Sequence, residues 1–172
     1  MTAIERLQQL VDGAPRLADG TVLSGGFLNH RVDATLLLEV GRELAPGLPR
    51  ADLVLTAEAG GIAPGFALAA ALGVPLVFAR RAAERVPGDV LQAPVSAGVL
   101  LVGREQLTAA SRVLLADDIL SRGGTPAALA ALVRSAGGLP VGLAVMVEKA
   151  GGGRARLERL GVPVTAAARL GT

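Results

Sequence analysis

The stretch Val113–Pro126, VLLADDILSRGGTP, decides the fold class of this sequence. Its first four residues are apolar, which is typical of a buried strand, and two adjacent carboxylates follow at Asp117 and Asp118. A turn with two glycines then leads into a helical pattern, for which Thr125 would be the N-cap and Pro126 the first helical residue. A buried strand, a short turn and a helix in this order predict one unit of an α/β sheet.

Apolar runs and helical patterns alternate along much of the chain. The apolar runs predict buried strands at Leu53–Thr56, Pro75–Ala79, Val113–Ala116 and Val141–Val147. The amphipathic or apolar patterns predict helices at Ala34–Leu44, Ala63–Leu72, Pro126–Ala136 and Arg154–Leu160. We therefore predict an α/β fold with a central, mostly parallel sheet and helices on both faces, in a single domain of residues 1–172.

The segment Arg81–Ser111 departs from this alternation. It contains Pro87-Gly88 and Pro94 and then the apolar run Gly98–Val102, so it is either an inserted hairpin or a long loop. Long irregular insertions in compact domains are more often functional than idle. We expect this segment to serve the functional site.

The composition excludes several classes of function. The chain has 17 Lys+Arg and 15 Asp+Glu, and its pI of about 10.3 arises because all basic residues except Lys149 are arginines, which keep their charge at high pH. No Lys/Arg cluster of the kind that binds nucleic acid is present. Because the sequence has no Cys and one His, it can form neither a disulfide nor a thiolate zinc site nor a multi-histidine metal site.

The N-terminal residues do not resemble a secretion signal, so we expect a cytoplasmic protein. The segment Ala59–Ala79 has 21 residues without a charge, which is long enough to span a bilayer. It is interrupted by glycines and prolines and breaks at Gly73–Pro75. We therefore interpret it as a turn, a buried helix and a buried strand.

The paired carboxylates beside the glycine turn suggest a ligand. Free N–H groups at a helix start, approached by a loop without Cβ atoms, suit a phosphate group. Adjacent carboxylates repel each other, and ribose hydroxyls or a divalent cation would offset the repulsion. Together these groups describe a ribose 5-phosphate pocket. The same residues also suit an ordinary strand–turn–helix with aspartates at a surface turn, and the motif alone leaves both interpretations open.

Val113–Pro126 resembles the phosphoribosyl-diphosphate signature of the type I phosphoribosyltransferase family. The similarity runs from about Leu17 to Leu170, and the sequence is most similar to the bacterial xanthine phosphoribosyltransferases of that family. Further motifs in the same order carry it: Phe27–Asp33 (FLNHRVD), Ala57–Pro64 (AEAGGIAP), Gly73–Arg81 (GVPLVFARR) and Val147–Lys149 (VEK).

The resemblance implies a reaction and a set of site residues. The implied reaction moves ribose 5-phosphate from 5-phosphoribosyl 1-diphosphate to a purine nitrogen, with Mg²⁺. Asp117 and Asp118 would be the catalytic residues, holding the ribose hydroxyls directly or through Mg²⁺. The 5-phosphate would be wrapped by Ser121, Arg122, Gly123, Gly124 and Thr125. The diphosphate would meet Glu58, Ala59, Gly60, Gly61, and Arg80 or Arg81.

The resemblance also implies how the base is recognised. A lysine suits xanthine, which is rich in carbonyl oxygens, and the purine contacts would be Val22 or Leu23, Phe27, Asn29 and Lys149. Without the resemblance, Asn29 would suit a turn, and Lys149 a solvated position after a strand. The other two aromatic residues, Phe66 and Phe78, are expected in the core. Residues 17–33 and 81–111 would form a hood, and the protein would be a homodimer.

Three features depart from the family pattern. Arg122 stands where many relatives have Thr, and Ser121 where hypoxanthine-type relatives have a third acid, so no carboxylate at that position can act as a base. The sequence ends at Thr172, sooner than expected, so a last strand is in doubt. Two alternatives stay open: an enzyme for guanine, hypoxanthine or adenine, and a non-catalytic regulator that senses phosphoribosyl diphosphate.

Overall fold

The protein contains one mixed β-sheet. The structure is a computed structural model, and it describes residues 1–17, 27–28, 30–81, 88–96 and 98–170. In these residues the strands are β1 Leu53–Ala57, β2 Leu76–Arg81, β3 Val90–Val95, β4 Gly98–Gly103, β5 Arg112–Leu120, β6 Leu139–Glu148 and β7 Val164–Arg169. Their order across the sheet is β3-β4-β2-β1-β5-β6-β7.

Parallel pairing dominates the sheet. The pairs β2–β1, β1–β5, β5–β6 and β6–β7 are parallel, and only the β3–β4 hairpin and its junction with β2 are antiparallel. The expected α/β fold with a mostly parallel sheet is confirmed. Since β5 lies between β1 and β6, Asp117 and Asp118 lie on an interior strand, near its carboxyl end.

Helices cover both faces of the sheet. They are α1 Ala3–Asp12, α2 Ala34–Leu44, α3 Ile62–Leu72, α4 Gly124–Ser135 and α5 Gly153–Arg159. Alternate residues of β1 show the layers, because Leu53 and Leu55 share a buried cluster with α4 and α5, whereas Val54 shares one with α1, α2 and α3. The sheet is thus the middle layer of three.

The start of α4 differs from the prediction. The helix begins at Gly124 with Gly123 as its N-cap, so the prediction of Thr125 as the N-cap was wrong. Gly123 has a φ of 70°, which only glycine adopts readily, and this conformation turns the chain from strand to helix within very few residues. The predicted end of the helix is confirmed, because α4 ends at Ser135 just before Gly137.

Two parts of the sheet were undecided or unpredicted in the sequence. The described residues of 81–111 form the β3–β4 hairpin, which settles the choice between a hairpin and a long loop. The last strand, which the sequence left in doubt, is present as β7. Its sequence VTAAAR has no long apolar run, so periodicity did not predict it.

Helix α1 covers the β7 edge of the sheet. The side-chain amide of Gln8 donates to Arg169 O and accepts from Arg169 N, both at 2.8 Å, so it pairs with the strand much as a further strand would. Leu7 and Val11 are fully buried beneath the helix. The first and last regular elements of the chain therefore form one contact.

The expectation that Phe66 belongs to the core is wrong. Its side chain is 61% exposed on α3. Helix α3 is apolar on nearly all sides, so its sequence gave no direction for the buried face. No helix in the described part of the chain combines the length and apolar character needed to cross a membrane.

Helices α2 and α3 approach most closely at Gly41. A Cβ at this position would lie 2.7 Å from the carbonyl oxygen of Ala67 and 2.9 Å from its carbonyl carbon. Because the neighbour is backbone, α3 itself would have to move. The glycine is therefore required by the close packing of the two helices.

We predict that Gly41→Ala lowers the free energy of unfolding by about 1–3 kcal/mol, the usual range for overpacking. Urea denaturation would measure the change. Gly47→Ala is the matched control, because a Cβ at Gly47 meets nothing within 4 Å and the residue lies nearby in sequence. Equal stability of the two variants would contradict the prediction.

Candidate active site

The predicted site residues lie at one edge of the sheet, where the parallel strands end. Glu58–Gly61 follows β1, Arg80–Arg81 ends β2, Asp117–Asp118 lies near the end of β5, and Lys149 follows β6. Neighbouring parallel strands have their carboxyl ends at the same edge, and open α/β sheets bind ligands there. The fold thus brings segments that are distant in sequence to one place.

A cavity of about 640 Å³ opens beside the loop that joins β5 to α4. It is lined by Asp117, by residues 121–126, by Pro94–Ser96 of the β3–β4 hairpin and by Arg156 of α5. In the described part of the chain no side chain caps α4, so the first N–H groups of this helix remain able to bind an anion. The cavity therefore has the size and the donors for a phosphorylated ligand.

Gly123 is the residue that shapes this loop. Besides its positive φ, it lies so close to α5 that a Cβ would approach Leu157 Cδ2 to 2.7 Å and Gly153 Cα to 3.2 Å. Any other residue would therefore both strain the backbone and push α5 away. The loop keeps its course only with glycine here.

Asp117 and Asp118 differ in their surroundings. The Asp117 side chain is buried, with 8% of the residue exposed, and its Oδ1 accepts a hydrogen bond of 3.0 Å from Asp118 N. Asp118 is half-buried and accepts 2.7 Å from Ile119 N. Burial raises the pKa of Asp117 to about 8, and the Asp118 carboxylate adds to the rise, against the Asp118 N–H and the charge of Arg81. Without a ligand, Asp117 is thus largely protonated at neutral pH.

The loop after β1 lies directly against Asp117. A Cβ at Gly61 would collide with Thr56 Oγ1 and come within 3.3 Å of Asp117 Oδ1. The Thr56 hydroxyl donates to Ala116 O at 2.8 Å, which joins β1 to β5 beneath the loop. The loop also contains a cis peptide bond between Glu58 and Ala59. Its backbone therefore passes close to the carboxyl pair.

Glu58 connects this loop to the end of β2. Its Oε1 accepts a hydrogen bond of 2.5 Å from Arg81 N, and its Oε2 lies 3.7 Å from the Arg80 guanidinium. The same guanidinium lies 5.2 Å from the ring centre of Phe78, which is half-buried rather than a full core residue. These contacts place the Arg80 guanidinium and the backbone of Arg81 beside the loop.

Lys149 lies one strand beyond the carboxyl pair. Its backbone N–H donates to Leu120 O at 2.8 Å, so its backbone is fixed beside the end of β5. The side chain is half-buried, and among the described residues none forms a hydrogen bond or an ion pair with its ammonium group. The ammonium group is thus available to a ligand.

Comparisons with known proteins agree with this geometry. The family model for a phosphoribosyl transferase domain matches residues 34–159. This chain belongs to the phosphoribosyl transferase family. It is 40% identical to a xanthine phosphoribosyltransferase of Chloroflexus aurantiacus, over 84% of this chain and 72% of the relative. It is also 40% identical to a xanthine phosphoribosyltransferase of Deinococcus deserti, over 89% of this chain and 88% of the relative.

A solved structure of the same family has a similar fold. The adenine phosphoribosyltransferase of Rhodothermus marinus superimposes with a TM-score of 0.73, at 26% identity, over 98% of each chain. The phosphoribosyl transferase fold therefore accounts for nearly the whole chain, the β3–β4 hairpin included.

Some predicted contacts lie outside the described residues. Val22, Leu23 and Asn29 are among them, so their proposed contact with a purine stays a prediction. Phe27 is described; it is half-buried and packs against the cluster formed by α1, α2 and α3.

Sequence reasoning missed the contribution of α5. Arg156 lines the cavity although it belongs to no motif, whereas Pro94–Ser96, which also line it, lie in the segment 81–111 that was expected to serve the site. Arg154 forms two hydrogen bonds to the Glu148 carboxylate, at 2.6 and 2.7 Å, and holds the pKa of Glu148 below its usual value. Arg154 also donates to Val164 O at 2.6 Å. The density of arginines in GRARLER was the one available signal.

We predict that Asp117→Asn makes the protein more stable at high pH. In the wild type the pKa of Asp117 is about 8 when folded and about 3.9 when unfolded, so the folded state binds more protons between these values. The free energy of unfolding of the wild type therefore falls as pH rises from about 4 to about 8. The amide keeps the acceptor for Asp118 N and does not titrate.

The stability advantage of Asp117→Asn should grow by about 1–3 kcal/mol between pH 5 and pH 8. Urea denaturation at several pH values would measure it. Asp12→Asn makes the same chemical change at an exposed residue and is the control. A constant difference between Asp117→Asn and wild type over this range would show that the burial of Asp117 does not govern its protonation.

Proposed function

We propose that this protein transfers ribose 5-phosphate from 5-phosphoribosyl 1-diphosphate to xanthine, forming xanthosine 5′-phosphate and diphosphate in purine salvage. The observation that carries the proposal is the cavity at the carboxyl edge of the sheet, which combines an uncapped helix start with the buried Asp117. Two relatives at 40% identity are xanthine phosphoribosyltransferases, which supports the choice of base.

The substrate would extend along the strand ends. Its 5-phosphate accepts hydrogen bonds from the loop Ser121–Thr125, where the N-terminus of α4 favours negative charge. The ribose hydroxyls donate to Asp117–Asp118. The diphosphate lies against Glu58–Gly61, where Gly61 lets the backbone come close, and meets the cations Arg80–Arg81.

The reaction exchanges one bond at the ribose C1 for another. The bond to diphosphate breaks with the electron pair leaving on oxygen, and a bond to a purine nitrogen forms while positive charge develops on the ribose. Cations beside the diphosphate stabilise the departing group. Xanthine loses a proton readily, so it reacts as an anion and needs no carboxylate base at Ser121.

The reactive ribose must be kept from water. We propose that residues 17–33 and 81–111 act as a hood over the site. Support comes from Pro94–Ser96, which lie in the second segment and line the cavity. The hairpin thus forms part of the cavity wall, whereas most of the first segment lies outside the described residues.

Asp117 and Asp118 fit a magnesium ion that is shared with the substrate. Carboxylate oxygens are the ligands that Mg²⁺ prefers. The described ranges contain no group of three or more His, Cys, Asp or Glu side chains that could hold a metal ion by themselves, so substrate oxygens would complete the coordination. When bound, the cation would offset the charge of the diphosphate.

Lys149 supports xanthine as the base. Its ammonium can donate to the carbonyl oxygens of xanthine, whereas the amino group of adenine offers no acceptor at that position. The solved adenine phosphoribosyltransferase shows that the fold also serves another purine, so guanine, hypoxanthine and adenine are the competing substrates. A regulator that binds phosphoribosyl diphosphate without catalysis is the other alternative.

We predict that Lys149→Ala lowers kcat/KM for xanthine about 10- to 100-fold, the range for one lost charged hydrogen bond, and leaves the KM for phosphoribosyl diphosphate within about threefold. Steady-state kinetics with xanthine, guanine, hypoxanthine and adenine would measure it. Lys149→Arg is the control, since it keeps the charge and should retain more activity.

Each result of the purine panel has a definite meaning. Conversion of adenine but not xanthine by the wild type would contradict the assignment of Lys149. Binding of phosphoribosyl diphosphate without conversion of any base would favour the regulator.

We also propose that the protein is a homodimer through the exposed face of α2 and α3. A groove of about 380 Å³ is lined by apolar residues including Val32, Ile62 and the exposed Phe66. Ala59 of the diphosphate loop lies in the same groove. A second copy seated there would cover the apolar side chains and border the loop.

We predict that Phe66→Glu shifts the protein from dimer to monomer, because a carboxylate would be buried in an apolar contact. Light scattering after size-exclusion chromatography would measure the mass. Leu139→Glu is the matched control, since Leu139 is 58% exposed but lies outside the groove. A monomeric wild type, or a dimer that survives Phe66→Glu, would refute this interface.

A further inference from the structure

Helix α5 is fixed against the loop that joins β5 to α4 and contains Ser121 and Gly123. Its first residue, Gly153, donates from its backbone N–H to Ser121 O at 2.9 Å. Leu157, one turn later, is fully buried and lies beneath Gly123. Both contacts join α5 to the loop itself, so the side chains of α5 have a defined position relative to the cavity.

The three arginines of α5 have different surroundings. Arg154 bonds to Glu148 at 2.6 and 2.7 Å and to Val164 O at 2.6 Å, so it serves the structure. Arg159 is exposed and does not line the cavity. Arg156 is exposed and lines the cavity, and within the described residues it takes part in no side-chain hydrogen bond or ion pair.

The balance of charge at the cavity favours an anion. Among the described residues, its lining contains two arginines, Arg122 and Arg156, and one acid, Asp117. The uncapped start of α4 adds further positive potential. The described lining therefore carries more positive than negative charge.

We propose that Arg156 of α5 binds the 5-phosphate of the substrate, in addition to the backbone N–H groups of the loop Ser121–Thr125. The proposal rests on the proposed function, and it adds a residue outside the signature Val113–Pro126. A guanidinium offers a planar fork that can donate two hydrogen bonds to one phosphate. The phosphate would thus be held from α4, through backbone, and from α5, through a side chain.

The test compares Arg156→Ala with Arg159→Ala, which removes the same charge from the same helix outside the cavity. Isothermal titration calorimetry with ribose 5-phosphate and with Mg²⁺–phosphoribosyl diphosphate would measure binding. We expect Arg156→Ala to weaken both ligands about 10- to 100-fold and Arg159→Ala less than about threefold. Arg156→Lys should recover part of the affinity, and the KM for xanthine should stay unchanged.

The outcomes separate this inference from the proposed function. If the wild type converts xanthine but Arg156→Ala and Arg159→Ala bind both phosphorylated ligands equally well, Arg156 has no role at the phosphate. If the wild type binds ribose 5-phosphate and Arg156→Ala weakens it, yet no purine is converted, the role of Arg156 holds and the proposed reaction fails. A wild type that binds neither ligand overturns both.

Discussion

A carboxyl group buried at the end of a central strand needs positive charge or hydrogen-bond donors, and the protein gives Asp117 few of either. Its Oδ1 accepts one backbone hydrogen bond, while the Thr56 hydroxyl, on the neighbouring strand, donates to Ala116 O. Arg81 opposes the rise of the pKa only weakly compared with burial and the neighbouring Asp118. In the free protein the raised pKa therefore favours the protonated form of Asp117, and a cation or ribose hydroxyls bound beside it would favour the ionised form. The substrate would thus supply the charge or hydrogen bonds that the protein itself does not give this carboxyl group.

Glu148, the last residue of β6, is the centre of a hydrogen-bond network that joins elements around the cavity. Glu148 is bonded by Arg154 and also by Arg169 at 3.2 Å, and Arg169 is paired through its backbone with Gln8. Glu148 immediately precedes Lys149, and Arg154 begins the helix that carries Arg156. The Glu148 carboxylate thus binds α5 through Arg154 and strand β7 through Arg169, and Glu148 is adjacent in sequence to Lys149, the proposed contact of the base.

The sequence predicted much of the fold and of the arrangement of the site, and particular residues explain both outcomes. The position of Asp117 could be predicted because a buried parallel strand has a strong apolar signal and ends at the ligand edge. The start of α4 was misplaced because Thr125 is a good N-cap locally, whereas the contact of Gly123 with α5 is tertiary. Arg156 was missed for the same reason, since its approach to the cavity depends on Leu157 packing beneath the loop. Phe66 was misjudged because a helix that is apolar all round does not reveal which side is covered.

The pairing of Gln8 with Arg169 joins residues 161 positions apart in the sequence. On a ribosome, α1 can pack on α2 early, but Leu7 and Val11 cannot be covered by β7 until Val164–Arg169 have emerged. The contact between α1 and β7 is therefore a late step of folding. It is accompanied by a large loss of chain entropy, because the residues that it joins are far apart in the sequence. The network around Glu148 is completed only when α1 and β7 meet.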